Sequence, residues 1–227
     1  MYDIAESSKF KGVILRINSP GGSAAASQEI YEAVEYIRSK GKTVFASMAD
    51  VAASGGYMIA AACDKIIASS STFTGSIGVI MQIPYYKELA EKVGVSFNTI
   101  KSGELKDMGN PMRSMTDAER KLLQSMANMV HEEFISLVAK GRNMDIDKVR
   151  KLADGRIFTG RQAYENGLVD QLGNYFTAIE EMKKALGINE IKIVKMNGKK
   201  SRGINISLNT EDLLSGCITR MKWFDNI

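Results

Sequence analysis

Two short apolar runs, each leading into a turn with paired glycines, most constrain what this chain can fold into. The first is Gly12-Val13-Ile14-Leu15-Arg16-Ile17, closed by Asn18-Ser19-Pro20-Gly21-Gly22; the second is Thr43-Val44-Phe45-Ala46-Ser47-Met48, followed shortly by Ser54-Gly55-Gly56. Runs this short, apolar at successive positions and bounded by turn residues, predict strands. Between them Ser23 is placed to cap a helix over 24–39, with Ile30, Val34 and Ile37 at helical spacing and Gly41 beyond its end. A brief helix over 56–62, a strand over 65–68, the run Thr74-Gly75-Ser76-Ile77-Gly78-Val79-Ile80, a helix over 86–92 and a strand over 95–100 continue the alternation. Strands alternating with helices imply right-handed crossovers, hence an α/β fold whose mostly parallel sheet is flanked by helices. Such sheets build their sites where strand ends carry glycine-rich turns.

After the loop over 101–114 the pattern turns helical. Thr116-Asp117-Ala118-Glu119 has the form of a capping box opening a long helix to about residue 140, with Leu122, Leu123, Met126, Met129, Val130, Phe134, Leu137 and Val138 on its apolar face. Further helices are expected over 145–153, 160–166 and 175–186, and a strand over 191–194. The expected organisation is one domain over 1–198, with a core sheet at about 12–100, a helical extension at about 115–186 and a late strand at about 190–195. Residues 199–227 form a weakly patterned C-terminal tail.

Composition narrows the function classes. The 227 residues suffice for one large domain with a sizeable core, and 44% hydrophobic with 25% charged residues is globular usage. A net charge of +4 is too mild to point to nucleic acid, and Lys192, Lys195, Lys199, Lys200 and Arg202 read as a solvated strand edge and loop with few aromatics among them. Cys63 and Cys217 match no metal spacing, and Cys63, after Ile59-Ala60-Ala61-Ala62, reads as a buried small residue. Neither a metal nor a cofactor is expected. No apolar stretch is long enough to cross a bilayer, since 44–63 is interrupted by Asp50, Ser54, Gly55 and Gly56. Residues 1–8 lack the basic start and apolar centre of a signal peptide, so the chain as it stands is expected to be soluble.

Chemistry concentrates at Val51-Ala52-Ala53-Ser54-Gly55-Gly56-Tyr57. Small residues around Ser54 leave room for a substrate and for backbone amides. The glycine turns bring two N–H groups without side chains in the way, as an oxyanion hole requires. The bland alternative is that Ser54 caps the following helix and the glycines only permit turns. A nucleophilic serine needs a proton acceptor, usually imidazole. His131 is the one histidine, and it lies mid-helix among Val130, Phe134 and Ile135, away from any catalytic turn. A lysine is the better base. Free lysine titrates near 10.4 and a useful base near 7 to 8, a difference of about 4 kcal/mol that only burial or a cationic neighbour supplies. Physics alone does not choose among the lysines; Lys101-Ser102-Gly103-Glu104-Leu105-Lys106-Asp107 stands out for its glycine-containing loop, and equally reads as a solvated loop where Lys106 meets Glu104 or Asp107.

Four motifs in one order, N-S-P-G-G (18–22), A-S-G-G-Y (53–57), T-G-S-I-G-V (74–79) and K-S-G-E-L-K-D (101–107), resemble the signal peptide peptidase SppA (protease IV) family, in its short, single-repeat Bacillus-type form. F-T-G-R-Q-A (158–163) and G-L-V-D (167–170) fit as well, and the resemblance covers roughly 12–194. It implies a serine endopeptidase with a Ser–Lys dyad on a ClpP/crotonase-like fold. By motif, Ser54 is the nucleophile, Lys106 the general base, Gly21 and Gly55 give the oxyanion amides, and Ser76 orients the lysine. The implied substrates are released signal peptides, cut within their apolar cores, and Val51, Ala52, Met58 and Ile83 are candidate pocket residues. The resemblance also implies homo-oligomeric rings whose active sites are shared between neighbouring subunits. It further implies that a full-length member is anchored in the cell membrane with its catalytic domain on the extracytoplasmic side, and residues 1–10 are expected to be too short to supply the family's anchor and early strands.

Rival readings make different demands. A SohB-like or stomatin-partner peptidase shares the dyad and differs in substrate. A crotonase-like acyl-CoA enzyme needs an acidic catalytic residue and neither Ser54 nor Lys106, and an inactive binding module forms no acyl-enzyme.

Overall fold

The structure, a computed structural model, describes residues 1–196 and 218–222. In chain order the elements are α1 (Tyr2–Glu6), β1 (Gly12–Ser19), α2 (Ala24–Ser39), β2 (Thr43–Ala53), α3 (Gly55–Ala61), β3 (Lys65–Ala68), β4 (Phe73–Gly75) and α4 (Lys87–Lys92). A 3-10 turn at Glu104–Asp107 precedes α5 (Asp117–Arg142), α6 (Ile146–Leu152), β5 (Ile157–Thr159), α7 (Gly160–Glu165), β6 (Gln171–Leu172), α8 (Tyr175–Leu186), β7 (Lys195–Met196) and β8 (Ile218–Lys222). Contacts divide the chain into two units: residues 1–78 with 134 onward, and residues 79–133.

The first unit is a mixed α/β structure with a curled sheet flanked by helices. β1 pairs with β2 and β8, β2 with β3 and β4, β3 with β6 and β7 with β8, all parallel, whereas β4 and β5 are antiparallel. The curl originates in β2. Its first half pairs with β3 (Phe45↔Lys65 to Ser47↔Ile67) and its second with β4 (Val51↔Phe73 to Ala53↔Gly75).

Successive residues of a strand face opposite sides, and here both sides are covered. Val13, Leu15 and Ile17 of β1 pack in one cluster with Tyr31, Val34 and Ile37 of α2, while Ile14 joins Phe45 and Ile67 against Ala178 and Met182 of α8. That is why β1 reads as an unbroken apolar run. Fully burying each such side chain contributes roughly 1.5–3 kcal/mol. α3 is buried along its whole length. It is anchored by the Tyr57 hydroxyl, which donates to the Leu168 carbonyl at 2.9 Å. Caps set the later helices: Asp145 accepts from the Asp147 and Lys148 amides, and Thr159 and Asn174 form capping boxes.

In the second unit, α4 and the start of α5 are the helices, and none of residues 79–133 is in a strand. The strand expected over 95–100 is therefore absent: Val95, Phe97 and Ile100 are exposed, with no neighbouring strand to satisfy their backbone. The late strand expected over 191–194 is likewise displaced; the paired residues are Lys195 and Met196, against Ile218 and Thr219. Apart from 218–222, the tail over 199–227 lies outside the described residues, as does Cys217. Among the described residues no helix is long and apolar enough to cross a membrane.

Candidate active site

The site is built from the end of β2. Between the pairs Ile17↔Met48 and Ser19↔Ala52, Asn18 alone on β1 faces Ala49, Asp50 and Val51 on β2. This bulge re-aims the strand and removes backbone groups from the ladder. Side chains take them up: Arg16 Nη1 donates to Met48 O at 2.8 Å, Thr72 Oγ1 to Ala49 O at 2.7 Å, and the Val51 amide donates to Asn18 Oδ1 at 3.2 Å. Beyond the bulge Thr74 Oγ1 donates to Ala52 O at 2.6 Å.

Ser54 then turns the chain from β2 into α3 with φ 51° and ψ −122°. Such a left-handed backbone costs a non-glycine residue roughly 1–3 kcal/mol and persists only where its surroundings impose it. Here the Ser54 N–H donates to Gly75 O at 2.8 Å, and its carbonyl accepts from the Met58 amide at 2.9 Å. Although Ser54 is the N-cap residue of α3, its side chain makes no capping hydrogen bond. The Ser54 side chain is thus not engaged in capping α3, and the half-buried residue stands on a strained strand–turn–helix junction.

Gly21 lies against it. A β-carbon there would sit 2.7 Å from Ser54 Cβ and 3.1 Å from Ser54 Oγ and the Gly55 nitrogen, and Gly21 has φ 116°. The Gly21 amide donates to Ser19 Oγ at 3.1 Å. Gly55 is equally confined, since its β-carbon would approach Ser27 Oγ to 2.1 Å. Its N–H belongs to the first turn of α3, where amides have no intrahelical acceptor. Ser76, with φ 50°, follows directly on the Gly75 that holds the Ser54 amide, and its own N–H donates to Arg156 O at 2.8 Å. Gly21, Ser54, Gly55 and Ser76 are thus gathered by the first unit.

Of the candidate pocket residues in that unit, Ala52 and Met58 are buried in the main core and Val51 is half-buried. Ile83 belongs to the second unit, where with Tyr85, Met115 and Leu123 it lines a cavity of about 510 Å³. Lys106 also belongs to the second unit, exposed on the 3-10 turn, its amide donating to Gly103 O at 3.1 Å. Its neighbour Asp107 is gripped by Arg113 and Lys101, which hold its carboxyl far below the usual carboxylate range. Arg113, then the Thr116 amide, lower Glu119 to about 2. The Thr116–Glu119 capping box is formed: Thr116 N–H donates to Glu119 Oε2 at 2.8 Å and Glu119 N–H to Thr116 Oγ1 at 3.2 Å.

Cys63 is buried and its thiol is pushed up by burial, which makes it an inert core residue. Among the described residues no cluster of His, Cys, Asp and Glu is arranged to hold a metal ion. His131 is half-buried in α5, its Nε2 buried without a partner among the described residues. Reading the sequence missed the bracing residues Arg16, Asn18, Thr72 and Thr74. Their one visible signal is polar side chains inside or beside strand runs, with partners 20 or more residues away.

Comparison with known proteins bears on this arrangement. The model of peptidase family S49 matches residues 36–189, a span that includes Ser54, Ser76 and Lys106. A protein of Enterococcus faecium provisionally named signal peptide peptidase SppA is 43% identical over 192 residues, 85% of this chain and 56% of that protein. A provisionally named protease of Synechocystis is 44% identical over 188 residues, covering 83% of this chain and 68% of its own length. The chloroplastic serine protease SPPA of Arabidopsis thaliana is 35% identical over 217 residues, 94% of this chain and 31% of the plant protein. The chain therefore spans a little over half of the enterococcal relative and under a third of the plant one. By the extent of the family match and the identity over most of its length, the chain belongs to peptidase family S49.

Proposed function

We propose that this chain is the catalytic part of a serine endopeptidase on a ClpP/crotonase-like fold, with Ser54 as nucleophile and Lys106 as general base. The observation that carries the reading is the Ser54 junction: a hydroxyl freed from capping, held at φ 51° against a glycine that cannot bear a side chain. Strain of this kind gathers where a fold has to present a reactive atom. The parallel pairings of β1 with β2, and of β2 with β3 and β4, support the proposed fold.

The neutral Lys106 amine takes the Ser54 proton as Oγ attacks a peptide carbonyl, giving a tetrahedral oxyanion and an ammonium. The Gly55 and Gly21 amides stabilise that oxygen; the Gly21 N–H exchanges its neutral acceptor, Ser19 Oγ, for an anionic one, which binds roughly twice as strongly. The ammonium then protonates the leaving amine as the C–N bond breaks. Water, deprotonated by the same lysine, hydrolyses the ester and returns Ser54. Ser76 orients the amine.

For Lys106 to act as a base it has to be stripped of water, and on this chain it is exposed. Exposed apolar side chains crowd the same unit, among them Ile80, Val93, Phe97 and Ile100. A second copy of the chain covering that unit supplies the burial, which supports a homo-oligomer with active sites shared between subunits. The substrate class follows the enterococcal relative's name and the apolar character of these surfaces: apolar segments of released signal peptides.

Treatment with a fluorophosphonate, followed by mass mapping, tests the reading. The expected adduct is on Ser54, absent in Ser54→Ala and formed far more slowly in Lys106→Ala. An adduct elsewhere, or a Lys106→Ala variant that labels at the parental rate, overturns it.

A further inference from the structure

The segment carrying Lys106 is bolted down by a chain of alternating charges. Lys101 Nζ donates to Asp107 Oδ1 at 2.6 Å and to Glu104 O at 2.8 Å. Arg113 grips the same carboxylate from another side, Nε to Oδ2 at 2.8 Å and Nη2 to Oδ1 at 3.0 Å, and Nη2 also reaches the Asp107 carbonyl at 3.2 Å. Arg113 also engages Glu119, Nη1 to Oε2 at 2.9 Å and Nη2 to Oε1. Glu119 is 2% exposed and sits in the first turn of α5, a helix of 26 residues.

Two consequences follow from this wiring. Lys106 lies between a residue whose carbonyl is bound (Glu104) and one whose carbonyl and carboxylate are both bound (Asp107). The turn therefore takes its position from the start of α5, a more rigid support than a loop. Asp107 is also the carboxylate nearest to Lys106 in sequence, and its oxygens are taken up by Lys101 and Arg113. Among the described residues Lys106 Nζ has no ion pair. An amine that must be free to accept a proton is thus denied the carboxylate that would hold its ammonium form.

We propose that Arg113 is the positioning residue of the general base: its guanidinium locks the Lys106 turn to α5 and keeps the Asp107 carboxylate from pairing with the Lys106 amine. The role rests on the reading of Lys106 as the base. It calls for arginine rather than lysine, because only a planar fork with five donors can bind two carboxylates and a carbonyl at once.

The test uses the full chain, an internally quenched peptide with an apolar centre, and the fluorophosphonate rate at Ser54. Arg113→Met is expected to lower kcat by about a hundredfold, the scale of a roughly 1 Å misplacement, with KM within about twofold. The labelling rate should fall in parallel, and millimolar methylguanidinium, which can bind the same two carboxylates, should restore part of the lost rate. Arg113→Lys should recover less than the added guanidinium does. Asp107→Ala, which removes the side chain that Arg113 grips and leaves the Arg113–Glu119 contact in place, should lower kcat without unfolding the chain and serves if Arg113→Met does not fold. Parental kcat in either folded variant overturns the role, as does a loss carried by KM or one that methylguanidinium leaves untouched in folded Arg113→Met. Lys106→Ala, measured alongside, separates the two readings. Full activity in Lys106→Ala sinks the base assignment and this role with it; an inactive Lys106→Ala beside a fully active Arg113→Met sinks this role alone.

Discussion

Gly21 and Ser54 are packed so closely that a β-carbon on the glycine would lie 2.7 Å from that of the serine. The residues belong to turns after different strands, β1 and β2, and the bulge opposite Asn18 brings those turns together. Gly21→Ala therefore carries two penalties: a forbidden contact with Ser54, and a side chain at φ 116°. We expect a stability loss of about 1–3 kcal/mol from the backbone alone. We also expect fluorophosphonate labelling of Ser54 to slow by about a hundredfold or more as the donor geometry is lost. Urea unfolding and labelling kinetics on the same variant check both, and a folded Gly21→Ala chain that labels at the parental rate contradicts the close packing.

The backbone of Ser54 makes a separable prediction. Glycine accepts φ 51° and ψ −122° without strain, whereas alanine does not. Relief of about 1–3 kcal/mol, less glycine's entropic cost of about 0.5–1 kcal/mol, leaves Ser54→Gly more stable than Ser54→Ala by up to about 2.5 kcal/mol. Both variants should be inactive. A Ser54→Gly urea midpoint below that of Ser54→Ala would show that the turn stores no strain.

What the sequence made legible was local. β1, α2, α3 and α8 follow from apolar runs, helical spacing and turn residues that lie within the elements themselves, and the Thr116–Glu119 box was readable from four residues. The second half of β2 was not. Ala49 to Ala53 includes Asp50 and no β-branched residue but Val51, and it is strand because β4 pairs with its end and Thr72 and Thr74 bind the Ala49 and Ala52 carbonyls. The expected strand over 95–100 failed for the converse reason: Val95, Phe97 and Ile100 suit a strand, but no neighbour pairs with them. The site divides in the same way. The candidate residues Ser54, Gly21 and Gly55 were picked out by small residues after strands, while the residues that brace that junction act across distances no local pattern displays.

Assembly should control the rate. Lys106 is exposed, and 99% of Ile100 and 82% of Ile80 are exposed in the same unit. If a second copy covers this surface and completes the site, activity per chain should fall on dilution in step with the loss of oligomer, followed by mass photometry or sedimentation. Replacing Ile100 by Asp should weaken assembly and activity together while leaving the unfolding midpoint of the first unit in place. Constant specific activity in a sample shown to be monomeric contradicts shared sites.

Acid should release the clamp on the Lys106 turn before it unfolds the sheet. Glu119 is lowered from its ordinary value of 4.5 to about 2, by Arg113 first and then by the Thr116 amide, and Asp107 is lowered by Arg113 and Lys101. A carboxylate whose folded value is depressed binds fewer protons folded than unfolded, so its contribution is complete above the unfolded value and is lost as pH falls through the folded one. For Glu119 that window runs from 4.5 down to about 2. The carboxyl carbon of Glu119, followed by NMR, should titrate near the bottom of the window. Hydrogen exchange, corrected for intrinsic rates, should speed up over residues 101–119 as pH drops through it, with β1 still protected. Arg113→Met should move the Glu119 midpoint up towards 4.5 and start the exchange at higher pH. A Glu119 midpoint at its ordinary value in the parent chain would mean that the guanidinium does not bind this carboxylate in solution, and the coupling between α5 and the Lys106 turn would go with it.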